Sequence, residues 1–305
     1  MSGSALCTLA PAKINLTLEV LGRREDGFHD IASVVQTVDL TDSVELRAAA
    51  ESLVRIVGDD GRPLPIPFGE ELVGRAWERL RARVDLAGEA ELIVTKRIPI
   101  AAGLGGGSSD AAAFLRLAQQ HWDLAPELVA EVAAEVGSDV PLFLQGGTLL
   151  LEGRGERVTS IEPPVLDRAW SALLYCPEIP LPAEKTKSMY GALRPTHFGD
   201  GAQSETLRAA LAAGSTPGPE DTSNVFDAVA DEVMTGLREA RRRVALAAGV
   251  VPTLTGAGPS LYVLGEESLL AEAVDGLNAA GGGTALLVRP LAAAQAARVE
   301  RLAEG

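Results

Sequence analysis

The segment Pro99-Ile-Ala-Ala-Gly-Leu-Gly-Gly-Gly-Ser-Ser-Asp110 carries four glycines in five positions, directly ahead of a stretch of helical composition. Glycine opens backbone turns closed to other residues and lets a ligand approach the main chain. A helix starting there adds unpaired N–H groups and the positive end of its dipole. Together these features make a site for a phosphate anion. No GK[ST] follows the glycines, so the segment is not a Walker A loop. A dinucleotide fingerprint would need its third glycine where Ser108 stands, inside a βαβ unit that the flanking sequence lacks. The other reading, a flexible linker, has to explain its place between a strong strand and a strong helix with no polar spacer.

A second candidate is Asp139, in Gly137-Ser-Asp-Val-Pro-Leu-Phe143, between a helix end and an apolar stretch. A carboxylate there is partly desolvated and can take a proton from an attacking hydroxyl. The plain alternative is a capping or turn aspartate beside Ser138. Lysine usage is a third signal. Of 27 basic residues only Lys13, Lys96, Lys185 and Lys187 are lysines, which leaves 23 arginines. An acidic chain that keeps so few compact cations has reason to place them at anionic ligands, unless the bias is only genomic.

The elements that must position these groups follow from periodicity. Residues 13–21 alternate apolar and polar, as a half-buried strand does, and Gly22 to Gly27 read as a turn. Strands are expected over 31–38 and 43–48, with Asp42-Ser43 as punctuation, and over 90–98, 147–152, 169–175, 260–264 and 284–289. Helical spacing covers 70–84 through Leu72, Val73, Ala76, Leu80 and Val84. Ser108 and Ser109 are N-cap candidates for a helix over 109–121. Pro126 suits the start of another that ends near Gly137. Further helices are expected near 184–193, 205–213, 224–230, 233–247, 267–279 and 291–303. The stretch 196–221, rich in Gly, Ser, Pro and Asp, reads as a mobile surface loop. Strands precede helices in the first half, which suggests α+β. The pattern restarts near 160, which suggests two domains, 1–160 and 161–305.

A chain of 305 residues can bury roughly three quarters of its unfolded surface, so its core needs no staples. Cys7 and Cys176 form no framework and no CxxC pair, which fits a reducing compartment. The net charge of −15 repels nucleic acid and anionic membrane. No apolar run reaches the roughly 18 residues of a membrane span. No signal peptide is visible, since Lys13 falls where its apolar stretch would continue. The expectation is a cytoplasmic monomer or homodimer acting on a small molecule, with no nucleic acid or membrane partner.

Three ordered motifs carry a family resemblance. Pro99–Ala113 resembles the central motif of the GHMP kinases, named after galactokinase, homoserine, mevalonate and phosphomevalonate kinases. Pro11-Ala-Lys-Ile-Asn-Leu16 resembles their N-terminal motif, and Thr255-Gly-Ala-Gly-Pro-Ser260 their C-terminal glycine motif. Asp26-Gly-Phe-His29 and Gly137–Phe143 are similar to one branch, whose substrate is a cytidine-diphosphate-linked methylerythritol. Nearly the whole chain matches in order, except 196–221. The resemblance implies an N-terminal domain like ribosomal protein S5 domain 2, a ferredoxin-like C-terminal domain, and ligands in the cleft between. It implies an ATP-dependent kinase acting on the substrate's 2-hydroxyl in non-mevalonate isoprenoid precursor synthesis.

It also implies roles. Asp139 would be the catalytic base and Lys13 would pair with it and with the transferring phosphoryl group. Gly103, Leu104, Gly105, Gly106, Gly107, Ser108 and Ser109 would cradle the ATP phosphates, with Lys96 near the adenine. Asn15 would meet the substrate's polar groups and His29 would read the cytosine edge. Phe28 (usually Tyr) and Tyr190 would sandwich the base, and Thr186 would touch the polyol, although Ser-Thr usually stands where Lys185-Thr186 is. Gly256 and Gly258 would bring backbone against phosphates or substrate. Mg²⁺ is required by the chemistry. No certain ligand can be named, though in other members a serine at the Ser108 position contributes. Asn224 is a family-like position without a derived role. A solvated strand lysine at 13, a surface or core histidine at 29 and a helix-core tyrosine at 190 remain the plain alternatives. So do a kinase for another small alcohol and a nucleotide-binding module without catalysis.

Overall fold

The computed structural model describes residues 5–65, 72–162 and 170–302. Its first sheet grows on one strand, β3 (His29–Ala49), which follows β1 (Leu6–Asn15) and β2 (Thr17–Arg23). At 21 residues β3 is long enough to pair antiparallel with four others: β1, β2, β5 (Glu89–Lys96) and β6 (Thr148–Gly153). β4 (Leu53–Gly58) lies parallel to β5, and β7 (Arg157–Ser160) closes on β6. The two strands expected over 31–38 and 43–48 are therefore one. Asp42 does not interrupt it because its fully buried carboxylate is satisfied from β5. It accepts from the backbone N–H groups of Arg97 and Ile98 and from the Lys96 ammonium. Conversely, the strand expected over 13–21 bends at Leu16 into β1 and β2.

Helices α1 (Leu72–Arg81), α2 (Gly106–His121), α3 (Pro126–Val136) and α4 (Val140–Gln145) cover one face of this sheet. Alternate residues of β3, including Val35, Val44 and Leu46, meet Trp77, Phe114, Leu115 and Phe143 there. α2 starts three residues before the expected 109. Ser109 N–H already bonds to the carbonyl of Gly105 (2.9 Å), so Gly105, and neither serine, is the N-cap. Gly105 has φ +75°, and a Cβ there would lie 2.6 Å from the Phe143 ring. The helix expected over 70–84 is described from Leu72. Residues 66–71, and 163–169 beside the expected boundary, lie outside the described residues.

The second half runs through β8 (Ser171–Pro177), α5 (Lys185–Ala192), α6 (Ala202–Ala212), β9 (Ser223–Asn224), α7 (Ala230–Val233) and α8 (Leu237–Ala248). It continues with β10 (Thr253–Leu254), β11 (Leu261–Gly265), α9 (Glu267–Ala280) and β12 (Gly283–Val288). The sheet order β10-β11-β8-β12, all antiparallel, with α8 and α9 as the crossing helices, is the ferredoxin-like arrangement. β8 is buried on both faces. Leu173 and Tyr175 pack toward the helices, while Ala172, Leu174 and Cys176 meet Ile14, Leu16 and Val34 of the first sheet. The layers are thus helix, sheet, sheet, helix, and β1 lies at the central seam.

Two sequence expectations fail here. The helix expected over 291–303 is a single turn, α10 (Ala293–Ala296), followed by β13 (Val299–Arg301), which pairs with β1. Alanine-rich composition favours helix weakly, and an open strand edge overrides it. The stretch 196–221 is no mobile loop. α6 sends Leu207 and Leu211 into the seam between the sheets. The buried Glu19 carboxylate of β2 caps it by accepting from Gly201 N (3.2 Å), Ser204 N (2.8 Å) and Ser204 Oγ (2.8 Å).

Two predictions follow from these anchors. Glu19→Ala leaves buried donors unpaired, at a cost of about 1–3 kcal/mol, and hydrogen exchange should rise selectively over 200–212; uniform protection there would contradict the anchor. Lys96 bonds both Asp42 and Asp110, tying the sheet to α2. Lys96→Met strands two buried carboxylates and should lower stability in urea melts by about 3–5 kcal/mol; a loss near zero would show that the trio holds nothing.

Candidate active site

Three distant segments meet at the end of β1. The Lys13 ammonium donates to Asn15 Oδ1 (2.6 Å) and to the Gly103 carbonyl (2.8 Å). The Leu104 carbonyl accepts from Lys13 N–H (3.0 Å), so the glycine loop is stitched to β1. Asn15 Oδ1 also accepts from Gly256 N–H (2.9 Å), and Asn224 Nδ2 donates to the Gly256 carbonyl (2.9 Å). Gly256 is therefore gripped from both sides, at φ +55°, and a Cβ would lie 2.9 Å from both the Gly103 oxygen and Lys13 Nζ. Only glycine fits that crossing. Asn15 donates further to Ser33 Oγ (2.9 Å), so its amide is largely spent on this framework.

On one side lies a cavity of about 840 Å³. The loop residues Gly103 to Ser108 form one wall, and residues 181–187 the other. The first turn of α2, whose N–H groups have no partner within the helix, lines this cavity and brings the positive dipole end to it. Ser109 is not in this wall: its side chain is fully buried and its N–H is already used inside the helix. Leu104 contributes only backbone, its side chain lying in the seam between the sheets. Lys96 does line the cavity, with its ammonium turned to Asp42 and Asp110. Burial pushes the Asp110 carboxyl up to about 7 against the pull of Lys96.

On the other side lies a smaller cavity of about 220 Å³, which Gly103, Gly105, Lys185 and Thr186 share with the first. Asp139, Lys13, Asn15, Tyr190 and Gly256 line it. Asp139 stands in the turn at the N-terminus of α4, and its side chain makes no capping bond. Burial lowers the Lys13 pKa, and the Asp139 charge works the other way. Among the described residues no ion pair joins the two, so the expected Lys13–Asp139 pairing is shared occupancy of one cavity. Burial, then Asp139, raises the Tyr190 hydroxyl to about 12.

His29, and not Phe28, is the ring stacked on Tyr190, with centroids 4.8 Å apart. Phe28 is exposed, with the Arg154 guanidinium 5.0 Å from its centroid. Burial, then Arg23, lowers the His29 pKa. Gly258 lies behind Gly256, outside the smaller cavity's lining, and its carbonyl accepts from Lys185.

Three residues of this site had no role assigned from the sequence. Asn224 has the clamping role just described and gave only a family-like position as signal. Arg154, beside the smaller cavity and Phe28, gave no signal. Lys185 was visible in the lysine bias and in its departure from the usual serine. Burial, then Lys13, pushes its pKa down to about 8. The arrangement can hold a polyphosphate at the loop, an acceptor in the smaller cavity, and a carboxylate and ammonium beside the junction.

The model of the GHMP kinases N terminal domain matches residues 71–147. A 4-diphosphocytidyl-2-C-methyl-D-erythritol kinase of Dehalococcoides mccartyi is 36% identical over 271 residues, covering 88% of this chain and 92% of that one. One of Thermotoga maritima is 36% identical over 274 residues, covering 86% and 93%. A crystal structure of 4-(cytidine 5'-diphospho)-2C-methyl-D-erythritol kinase superposes with TM-score 0.76 at 30% identity, covering 93% of this chain and 98% of that one. Homoserine kinase from Cytophaga hutchinsonii shares the fold, with TM-score 0.71 at 17% identity over 98% of each chain. With relatives of this identity along almost their whole length, the chain belongs to the 4-diphosphocytidyl-2-C-methyl-D-erythritol kinase family of the GHMP kinases.

Proposed function

We propose that this chain is an ATP-dependent kinase for the 2-hydroxyl of 4-diphosphocytidyl-2-C-methyl-D-erythritol, working in the cytoplasm in non-mevalonate isoprenoid precursor synthesis. One observation carries the reading. The glycine-loop cavity and the smaller cavity share a wall, Lys13 is bonded to Gly103 of that wall, and Asp139 lines the smaller cavity with it. The family membership supports the choice of acceptor.

ATP lies with its phosphates along the loop backbone and its γ-phosphoryl group at the shared wall. The acceptor's hydroxyl enters the smaller cavity beside Asp139. The bond from the γ-phosphorus to the bridging oxygen breaks, and its electron pair stays on ADP. A bond from the acceptor oxygen to phosphorus forms, and the hydroxyl proton passes to Asp139. Phosphoryl transfer asks more of position and charge than of the base. The Lys13 ammonium supplies charge without moving, because Asn15 and the loop carbonyl already hold it. Tyr190 lines the acceptor pocket and His29 stacks on it, which puts the aromatic surface for the cytosine at that end.

Among the described residues no group of three or more His, Cys, Asp or Glu side chains could cage a metal. Mg²⁺ would arrive on the nucleotide and keep most of its water. Ser108, in the loop wall, is the side chain that would hold it. When bound it neutralises charge on the β- and γ-phosphate oxygens.

Purified protein should release ADP from ATP and Mg²⁺ only when the cytidine-linked acceptor is present. Asp139→Asn should lower kcat by about 10²–10⁴ with an unchanged fold. Turnover on homoserine or mevalonate with none on the cytidine substrate would overturn the assignment. An unchanged rate in the variant would remove Asp139 from the mechanism.

A further inference from the structure

Lys185 is the one lysine of the site without a role. Its Nζ donates to the Ala101 carbonyl (2.7 Å), at the entry to the glycine loop, and to the Gly258 carbonyl of the C-terminal motif. An ammonium has three donors, so one remains to be used. Among the described residues no carboxylate lies within ion-pair distance of it. Its neighbour Lys187 differs on each count: it is exposed and paired with Glu184 (2.9 Å).

We propose that Lys185 is a second transfer cation: its ammonium, in the wall common to the two cavities, binds the γ-phosphoryl oxygens as the group crosses from ATP to the acceptor. This rests on the kinase reading above. Lys185 takes no part in bond making or breaking and supplies charge alone. The placement follows from the clamp, since the two carbonyls fix the ammonium between the nucleotide loop and the motif that Asn15 and Asn224 hold. Lys13 and Lys185 face one cavity, and like charges repel. An anion between them turns that repulsion into two attractions. A phosphoryl group carries charge on three oxygens, enough to meet both amines. The other charged groups around Lys185, besides Lys13, are Asp139 and Arg154 in the smaller cavity, and Lys96, Asp110, Glu184 and Lys187 in the larger, the last two paired with each other. Of these, Asp139 faces the acceptor, and Lys96 and Asp110 are paired with each other.

The test separates charge from clamping. Lys185→Gln can still donate to two carbonyls but is neutral, whereas Lys185→Arg keeps the charge. Lys185→Gln should lower kcat by about 10²-fold or more, as loss of one transition-state donor does, and Lys185→Arg should restore most of it. In the absence of acceptor, Lys185→Gln should weaken ATP binding while leaving ADP binding unchanged, because the amine reaches only the γ group. The unmodified protein supplies the same readout without a variant. Its preference for ATP over ADP should fall as pH rises through about 8, where the free amine loses its proton. The Arg variant should not show that fall. Equal weakening of ATP and ADP, wild-type turnover in the Gln variant, or an ATP preference flat across that pH range would overturn the proposal. A failure of the kinase reading is distinct, since it would appear as unmodified protein that binds ATP over ADP and never turns over.

Discussion

A buried ammonium holds this site together. Lys13 is 5% exposed, and among the described residues it has no carboxylate within ion-pair distance. Taking such a charge out of water costs several kcal/mol unless dipoles replace the lost solvent. The Asn15 amide oxygen and the Gly103 carbonyl do so, and each belongs to a different segment of the framework. Asn15 then reaches Gly256, and Gly103 opens the loop that leads into α2. The close approach this demands explains why glycine stands where a side chain would collide. The charge is offset by dipoles and remains uncancelled, which is the condition for attracting a phosphoryl anion into the space next to Asp139.

The four-layer architecture exists around that point. β1 runs along the seam where the two sheets pack. One alternate set of its residues, Ala12 and Ile14, with Leu16 just beyond, fills the seam, while Lys13 and Asn15 point the other way. The second sheet steadies the same strand end through the Tyr262 hydroxyl, which donates to the Asn15 carbonyl (2.8 Å). β13 adds to the opposite end of β1, and β9 adds to β2. The chain's two halves are therefore interleaved at the strand that carries the chemistry. Displacing either half displaces the lysine.

Much of this was legible in the sequence because it is local. The glycine loop, the proline and lysine of the first motif, the aspartate before α4 and the final glycine motif each announce themselves within a dozen residues. The apolar run of β8 and the periodicity of the helices α3, α8 and α9 were also readable. What was hidden depends on long separation. Asn224 and Gly256 are 32 positions apart and Lys185 and Gly258 are 73 apart, and no local pattern relates them. Asp42 looked like a break because its partners come from β5. The last residues looked helical because alanine composition speaks louder than a strand edge that only the fold supplies.

The mechanism turns on where the transferred group sits. A crystal structure with a non-hydrolysable ATP analogue and the cytidine-linked acceptor measures this directly. The account predicts the γ-phosphoryl group at the wall shared by the two cavities, within hydrogen-bond reach of the Lys13 and Lys185 ammonium groups, with the acceptor hydroxyl between it and Asp139. A γ-phosphoryl group bound away from both amines, or an acceptor hydroxyl out of reach of Asp139, would contradict it.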